Sequence, residues 1–294
     1  MKIFFFDEQH QLRNGWKILA FLAVTASLIF PSVLVLKTLP PELRMYAPKI
    51  VFLVVGVLTA TWLCLRAEGR SLASVGCRLD RRFGRQFGLG LAGGVGALLL
   101  VALLVRMSNG YHLVVASHAA LPNLLKGAVL MLGIAAMEEL AYRGYAFQRA
   151  IRGMGVLGAQ LLFAVIFCAS HPLNGGMSVA MMLLVMLNIF LFAIIAGICY
   201  VRTGSLAASI GVHMGWNWAQ QSLGFGVGGA DVHGWYAPVF HGRPDWLTGG
   251  AFGLEASAAS TIILVGATVV LACWRGEKAV APSAARRGAR VRAA

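Results

Sequence analysis

Apolar residues occur in long uninterrupted blocks along this chain. Four blocks contain no Asp, Glu, Lys or Arg, and they cover residues 18–36, 50–65, 86–105 and 256–274. A helix that crosses the hydrocarbon core of a bilayer needs about 20 apolar residues. Each block spans, or nearly spans, that distance, so the pattern predicts membrane-spanning helices.

Four further spans are predicted from longer uncharged intervals. Residues 153–201 contain no Asp, Glu, Lys or Arg, and the polar stretch HPLNGGMS divides them into two spans. Residues 203–230 hold a third, and the fourth is the apolar run that ends at Glu138 and Glu139. The chain is therefore predicted to be all-α, a polytopic membrane helix bundle of about eight transmembrane helices.

Composition and charge support this class. The mean hydropathy is +0.75, and 59% of the residues are hydrophobic while 12% are charged, which is not the profile of a soluble domain. A single membrane domain is predicted over residues 1–294, with a basic, disordered tail over residues 276–294. Because the chain has no basic soluble domain, its net charge of +14 indicates no nucleic acid partner.

The distribution of the basic residues predicts the orientation. Of the 25 Lys and Arg residues, 19 fall in the loops on the side of the N-terminus and 6 in the loops on the other side. Basic residues accumulate on the cytoplasmic side of membrane proteins. Both termini are therefore predicted to be cytoplasmic.

Polar side chains interrupt the apolar pattern at three places within the spans. These are the stretches EELAYR, FCASH and HMGWN, with Glu138, Glu139 and Arg143, with Phe167 and His171, and with His213 and Asn217. Ionisable groups inside a membrane are costly, and they mark functional sites unless they are paired for structural reasons.

The three places are predicted to lie at similar depth. The helix that carries the glutamates is expected to run on through RGYAFQRAIR to a turn at Gly153 and Gly155. With a rise of about 1.5 Å per residue, Glu139 lies roughly 21 Å and His171 roughly 24 Å from that turn. From the turn near Thr203 and Gly204, His213 lies roughly 14 Å and Asn217 roughly 20 Å away. Three helices thus bring their polar side chains to about the same level.

Helical spacing also predicts which side chains face each other. Residues four apart share a face, so Glu139 can pair with Arg143, and His213 and Asn217 point the same way. Glu138 is about 100° round the helix from Glu139. One carboxylate is therefore neutralised, while Glu138 stays available for chemistry.

A carboxylate and two imidazoles in a partly apolar cavity can activate water in more than one way. The carboxylate can act as general base, while an imidazole polarises the water or donates to the oxyanion. Alternatively, His171 and His213, with Glu138, can hold a divalent metal such as zinc. Asn217 suits an oxyanion donor because its amide donates a hydrogen bond without titrating.

Each of these features alone has a structural interpretation. A lone histidine in a membrane helix often makes an interhelical hydrogen bond, and a single EExxxR stretch can be a structural ion pair. The combination of all three at matched depth favours a functional site. The remaining histidines, His112, His118, His233 and His241, fall in outer segments and are not predicted to take part.

In order, EExxxR, FxxxH and HxxxN resemble the motifs of the CPBP family of intramembrane proteases, which includes the CAAX prenyl endopeptidases. The resemblance is strongest over residues 122–222. It implies an eight-helix bundle with a cavity open to the cytosol, and peptide-bond hydrolysis by water that Glu138 and His171 activate. It also implies that His213 and Asn217 support the oxyanion. Both metal-dependent and glutamate-type mechanisms remain open, and the HExxH signature of zincins does not occur.

The expected function is an intramembrane endopeptidase that acts on a membrane-associated or lipidated peptide or protein. The alternative is a catalytically silent immunity or adaptor protein that binds a peptide or a partner membrane protein. A third hypothesis, a transporter with a proton relay, predicts an inverted internal repeat, and none is found. The expected surroundings are the lipid bilayer, and the Gly-, Ala- and Arg-rich composition indicates a bacterial inner membrane.

Overall fold

The computed structural model describes residues 2–6, 11–38, 46–116, 120–171, 173 and 177–277. Eight long helices dominate it. They are α1 (Asn14–Thr38), α2 (Tyr46–Ala67), α3 (Arg81–Met107), α4 (Ala120–Arg143), α5 (Tyr145–Ala169), α6 (Val179–Thr203), α7 (Leu206–Ser222) and α8 (Ala258–Cys273). Short helical turns occupy Lys2–Phe5, Leu72–Val75, Asp245–Thr248, Gly250–Phe252 and Leu254–Ala256.

The helices match the predicted membrane class. Five described segments are long and apolar enough to cross a membrane, and these are Asn14–Thr38, Lys49–Ala67, Arg81–Met107, Leu121–Ala169 and Val179–Thr203. Helix α8 is apolar but shorter. Large apolar side chains such as Phe30, Leu157 and Ile262 are about two-thirds exposed, as expected where the surrounding solvent is lipid. The protein is thus a mostly helical integral membrane protein.

Helix α5 folds back on itself at Gly155. In a straight helix Phe147 and Phe163 would lie roughly 24 Å apart, yet their ring centroids are 5.4 Å apart. Gly155 has φ +79° and ψ 171°, in the region that only glycine adopts readily, and the helix reverses there. The turn predicted at Gly153 and Gly155 is confirmed.

The prediction that the glutamate-bearing helix continues through RGYAFQRAIR is wrong at one residue. Helix α4 ends at Arg143, because Gly144 adopts φ −75° and ψ −126°, outside the helical region. A Cβ at this position would lie 2.2 Å from the carbonyl oxygen of Leu140, so only glycine fits without a shift. The break directs the start of α5 towards the end of α2, where Tyr145 contacts Glu68.

Close packing of α3 against α7 fixes the helix that carries the HMGWN stretch. A Cβ at Gly90 or Gly94 would lie within 2.4 Å of a backbone oxygen of α7, and one at Gly211 or Gly215 within 2.3 Å of a backbone oxygen of α3. Small residues let helix backbones approach this closely in membranes. The two helices therefore meet backbone to backbone, and α7 is held directly against α3.

The two ends of the bundle differ. At one end, the short strands β1 (Tyr111–Val115) and β2 (Tyr236–Phe240) pair antiparallel, a small sheet that the all-α prediction did not contain. At the other end, Glu277 after α8 bonds to Arg82 and Arg85 of α3. The described segment that follows α8 thus returns to the end of the bundle where α3 begins. The predicted disordered tail covers residues 276–294, of which only 276 and 277 are among the described residues.

Candidate active site

Glu139 and Arg143 form a buried ion pair on α4. Arg143 Nη1 lies 3.1 Å from Glu139 Oε1, and the two side chains are 2% and 0% exposed. Arg143 Nη2 donates to the carbonyl of Ala193 on α6, and its guanidinium lies 4.8 Å from the ring centroid of Phe167. The predicted i, i+4 pair is confirmed, and it also joins three helices.

Glu139 has a second partner that helical spacing did not reveal. His213 Nδ1 on α7 lies 2.9 Å from Glu139 Oε1. Because a carboxylate accepts hydrogen bonds, Nδ1 carries the proton, and Nε2 of the neutral ring has a free lone pair. Glu139 thus fixes both the orientation and the tautomer of His213.

His171, just beyond the end of α5, is fixed in the same way by a different group. Its Nδ1 lies 2.7 Å from the carbonyl oxygen of Phe167, four residues earlier. A carbonyl oxygen only accepts, so Nδ1 again carries the proton and Nε2 is free. The Phe167 ring also packs 4.5 Å from the His171 ring. The FxxxH spacing therefore supplies both a hydrogen bond and a packing surface.

Glu138 lies between the two histidines. Its Oε2 is 3.7 Å from His213 Nε2 and 4.0 Å from His171 Nε2. That oxygen is buried and has no hydrogen-bond partner within the described part of the chain. When both imidazole rings are neutral, Glu138 Oε2 and the two Nε2 atoms are three hydrogen-bond acceptors that lie close together. Such a group of acceptors needs a proton donor or a cation.

A cavity of about 210 Å³ opens at this point. Glu138, His171, His213 and Asn217 all line it, so the structure brings these predicted residues together. Glu139 and Arg143 do not line the cavity. They contact His213 and the carbonyl of Ala193, and so hold the surrounding helices in place. The apolar walls of the cavity include Phe192 and Trp216, and its volume admits several water molecules at about 30 Å³ each.

The geometry at Glu138 bears on the predicted metal. A tetrahedral zinc ion, about 2.0–2.1 Å from each ligand, holds ligand atoms about 3.3 Å apart, while a bridging water holds its partners about 4.5 Å apart. The measured 3.7 and 4.0 Å fall between these values. No trio of His, Cys, Asp or Glu at metal-binding distance occurs among the described residues. The anchored Nδ1 atoms are nevertheless typical of metal-binding histidines.

Two polar residues of the cavity, Asn188 and Glu255, were not predicted. Asn188 Nδ2 donates to the carbonyls of Glu255 and Ser257, and Thr261 donates to Asn188 Oδ1. These bonds fasten the segment before α8 to α6. The one Asn within the apolar run of α6 was the available signal, since amides inside membrane helices usually bond across helices.

Glu255 adds a third carboxyl group to the cavity. Its Oε1 accepts a hydrogen bond from the Gly228 backbone N–H at 2.5 Å. Burial raises the pKa of this carboxyl from 4.5 to about 7. No spacing rule could find it, because Glu255 lies outside the predicted spans and nearly forty residues beyond Asn217.

The remaining histidines lie away from this site where the structure describes them. His112 and His241 contact each other beside the β1–β2 pair, with 2.8 Å between Nδ1 and Nε2. His233 lies in the segment before β2, and His118 lies outside the described residues. None of the three described histidines lines the cavity.

Comparison with known proteins gives one match. The family model for type II CAAX prenyl endopeptidase Rce1-like proteins matches residues 119–219, which contain EELAYR, FCASH and HMGWN. The comparisons with curated proteins and with solved structures gave no match. The match confirms the resemblance inferred from the three motifs and indicates a peptidase of the CAAX type. Over this segment, about a third of the chain, the protein is similar to the CPBP/CAAX protease family.

Proposed function

We propose that this protein is an intramembrane endopeptidase that hydrolyses a peptide bond of a membrane-associated or lipidated peptide. The observation that carries the proposal is the buried, unpartnered Glu138 Oε2, which faces the free Nε2 atoms of two anchored histidines in a cavity. Glu139 also has one oxygen, Oε2, without a hydrogen bond, but Arg143 and His213 hold its Oε1, and Glu139 does not line the cavity. The family match supports the same reaction class.

In the proposed mechanism, a water molecule occupies the point where Glu138 and the two histidines converge. It donates one hydrogen bond to Glu138 Oε2 and the other to His171 Nε2. As the water oxygen attacks the peptide carbonyl carbon, Glu138 takes its proton as general base. The same proton can then pass to the departing amine, which restores the carboxylate.

His213 and Asn217 complete the proposed site on the side of the oxyanion. Both lie on α7, one helical turn apart, and both line the cavity. An imidazole whose Nδ1 faces the Glu139 carboxylate can carry a second proton on Nε2, and it then donates to the oxyanion. The Asn217 amide supplies a further donor that never titrates. Two fixed donors in a water-poor site lower the energy of the tetrahedral intermediate.

A divalent ion is the second form of this proposal, favoured by the fixed tautomers of the histidines. His171, His213 and Glu138 would hold it, and it would act as a Lewis acid on water or on the peptide carbonyl. Thorough chelation should then abolish activity, and added zinc or cobalt should restore it. Metal affinity should also weaken in acid, because a protonated imidazole nitrogen cannot bind a metal ion. Full activity of demonstrably metal-free protein would exclude the metal-dependent mechanism and leave only the mechanism in which Glu138 activates the water.

The proposed substrate follows from the surroundings of the cavity. It lies among helices long enough to span a bilayer, so a peptide that reaches it is itself at the membrane. The family description names a CAAX prenyl endopeptidase. The amino-acid composition favours a bacterial inner membrane, where we expect other lipidated peptides as substrates. The proposed topology places eight spans in the membrane, with both termini in the cytoplasm.

The test is cleavage by the purified, reconstituted full chain. Lipidated and unlipidated reporter peptides are incubated with wild type and with Glu138→Gln, and mass spectrometry identifies products and cleavage sites. Wild type should yield defined fragments that Glu138→Gln and Glu138→Ala do not. If no peptide is cut, yet a peptide or partner protein binds the cavity with equal affinity in both proteins, the silent immunity or adaptor function is correct instead.

A further inference from the structure

A second group of charged residues lies away from the cavity. The carboxylate of Glu68, in the turn after α2, is surrounded by cations from three parts of the fold. Lys17 Nζ on α1 lies 3.4 Å from Oε1, while Arg149 Nη1 on α5 and Arg70 Nη1 lie 3.2 and 4.0 Å from Oε2. Arg152 lies close enough to Arg70 and Arg149 to repel both.

The charges of this group do not balance. Burial raises the pKa of Glu68, but the hydrogen bond from Tyr145 and the charges of Arg149 and Lys17 outweigh it and lower that pKa overall. Glu68 therefore contributes one negative charge against four cations. Arg149 is buried, Lys17 and Arg70 are partly buried, and Arg152 is exposed at the edge of the group. Repulsion among the buried and partly buried cations is less well screened than at an open surface.

Hydrogen-bond donors are also in excess. Arg149 is 2% exposed, and its Nε and Nη2 have no hydrogen-bond partner among the described residues. Arg70 Nη1 is likewise buried without a hydrogen bond there. Buried guanidinium groups without acceptors are costly, and a bound anion would supply the missing acceptors.

We propose that Arg70, Arg149 and Arg152 form a phosphate-binding site at this end of the bundle. A phosphate offers several acceptor oxygens and negative charge, which match the planar donors of arginine. The source of the phosphate is either a free anion or the headgroup of an anionic lipid. Basic pockets between membrane helices near the cytoplasmic surface bind such headgroups. The site is separate from the cavity and does not depend on the proposed peptidase activity.

The test uses purified full-length protein and two probes. Inorganic phosphate is titrated in detergent against chloride of equal ionic strength, with thermal stability as the readout. Phosphatidylglycerol in phosphatidylcholine nanodiscs is compared with phosphatidylcholine alone, with native mass spectrometry counting retained lipids. A shift with phosphate assigns a free anion, retention of phosphatidylglycerol assigns a lipid headgroup, and either supports the site.

Matched variants separate this site from general attraction to the positive face. Arg70→Gln and Arg152→Gln should each weaken binding about tenfold, the loss of one charge-assisted hydrogen bond. Arg78→Gln removes an equal charge from the same face, but Arg78 is 74% exposed and pairs with Asp80, so its affinity should stay at the wild-type value. Equal affinities in all three variants, or no binding of either probe by wild type, would overturn the proposal.

Discussion

At the scale of single residues, the two adjacent glutamates have different surroundings and therefore different expected roles. Glu139 is fully buried and bonded to both Arg143 and His213. Glu138 is 18% exposed, lines the cavity and leaves Oε2 without a hydrogen bond in the described structure. Substitution of each by glutamine conserves its shape and removes its charge.

Glu139→Gln should mainly lower the stability of the folded protein. It leaves the buried Arg143 guanidinium without its counter-charge, a loss that typically costs about 3–5 kcal/mol, and it weakens the anchor of His213. Glu138→Gln should remain folded and lose peptide turnover, because an amide cannot accept the proton from water. Thermal stability, yield in detergent and turnover of both variants check this. Substantial turnover by a folded Glu138→Gln protein would show that Glu138 is not the base.

Glu255 should make stability depend on pH in a direction opposite to that of a paired carboxylate. Its pKa in the folded protein, raised by burial to about 7, lies above the ordinary value of 4.5. The folded state therefore binds more protons between these values, and the free energy of unfolding falls as pH rises through this window. Glu255→Gln removes the effect. The melting temperature of this variant, relative to that of wild type, should therefore increase from pH 5 to pH 8.

The control for Glu255 is Asp231→Asn, which removes an exposed carboxylate from the same segment between α7 and α8. Its melting temperature should differ from wild type by a constant amount across the same range. A constant difference for Glu255→Gln as well would mean that this carboxyl has an ordinary pKa.

At the scale of helices, the position of α7 depends on its glycine contacts with α3. A Cβ at Gly94 would lie 2.2 Å from the carbonyl oxygen of Val212 and 2.8 Å from the backbone nitrogen of Trp216. These backbone atoms flank His213 on α7. Any separation of the two helices therefore moves His213 relative to Glu138 and Glu139.

Gly94→Ala should lower both stability and turnover, because overpacking typically costs about 1–3 kcal/mol. Gly93→Ala is the matched control, since a Cβ there has no atom within 4 Å. In the helix interior that change should be neutral or stabilising by about 0.5–1 kcal/mol. Melting temperatures and turnover of the two variants are compared. If they are the same, the close approach of α3 and α7 does not position the site.

At the scale of the whole molecule, positive charge collects at one end of the bundle. Arg82 and Arg85 at the start of α3 bind Glu277 after α8, and the Glu277 backbone N–H donates to the carbonyl of Arg202 at the end of α6. The start of α3 and the ends of α6 and α8 thus lie at the same end of the bundle. The β1–β2 pair lies at the end of α3 that is remote from Arg82.

Reporter fusions after residues 80 and 285 should therefore both be cytoplasmic, and a fusion after residue 240 should be external, because Lys and Arg are retained on the cytoplasmic side. A reporter that is active only in the cytoplasm and a second that is active only outside give complementary readouts at each position. A cytoplasmic result after residue 240 would contradict the eight-span topology and the common depth of the polar residues.

The sequence by itself determined the membrane class, the positions of the long helices, the Glu139–Arg143 pair and the turn at Gly155. These features depend on local properties: apolar length, i, i+4 spacing and the conformational preference of glycine. The family resemblance also rests on short local motifs, EELAYR, FCASH and HMGWN, which a single sequence displays directly.

Only the tertiary structure decided the features that depend on contacts between distant residues. The bond between Glu139 and His213 joins positions 74 residues apart, and Glu255 enters the cavity because Asn188 fastens the segment before α8 to α6. The break at Gly144 lets Tyr145, at the start of α5, donate a hydrogen bond to Glu68. Helical periodicity gives the face on which a side chain lies, but the partner opposite that face is set by how the helices pack.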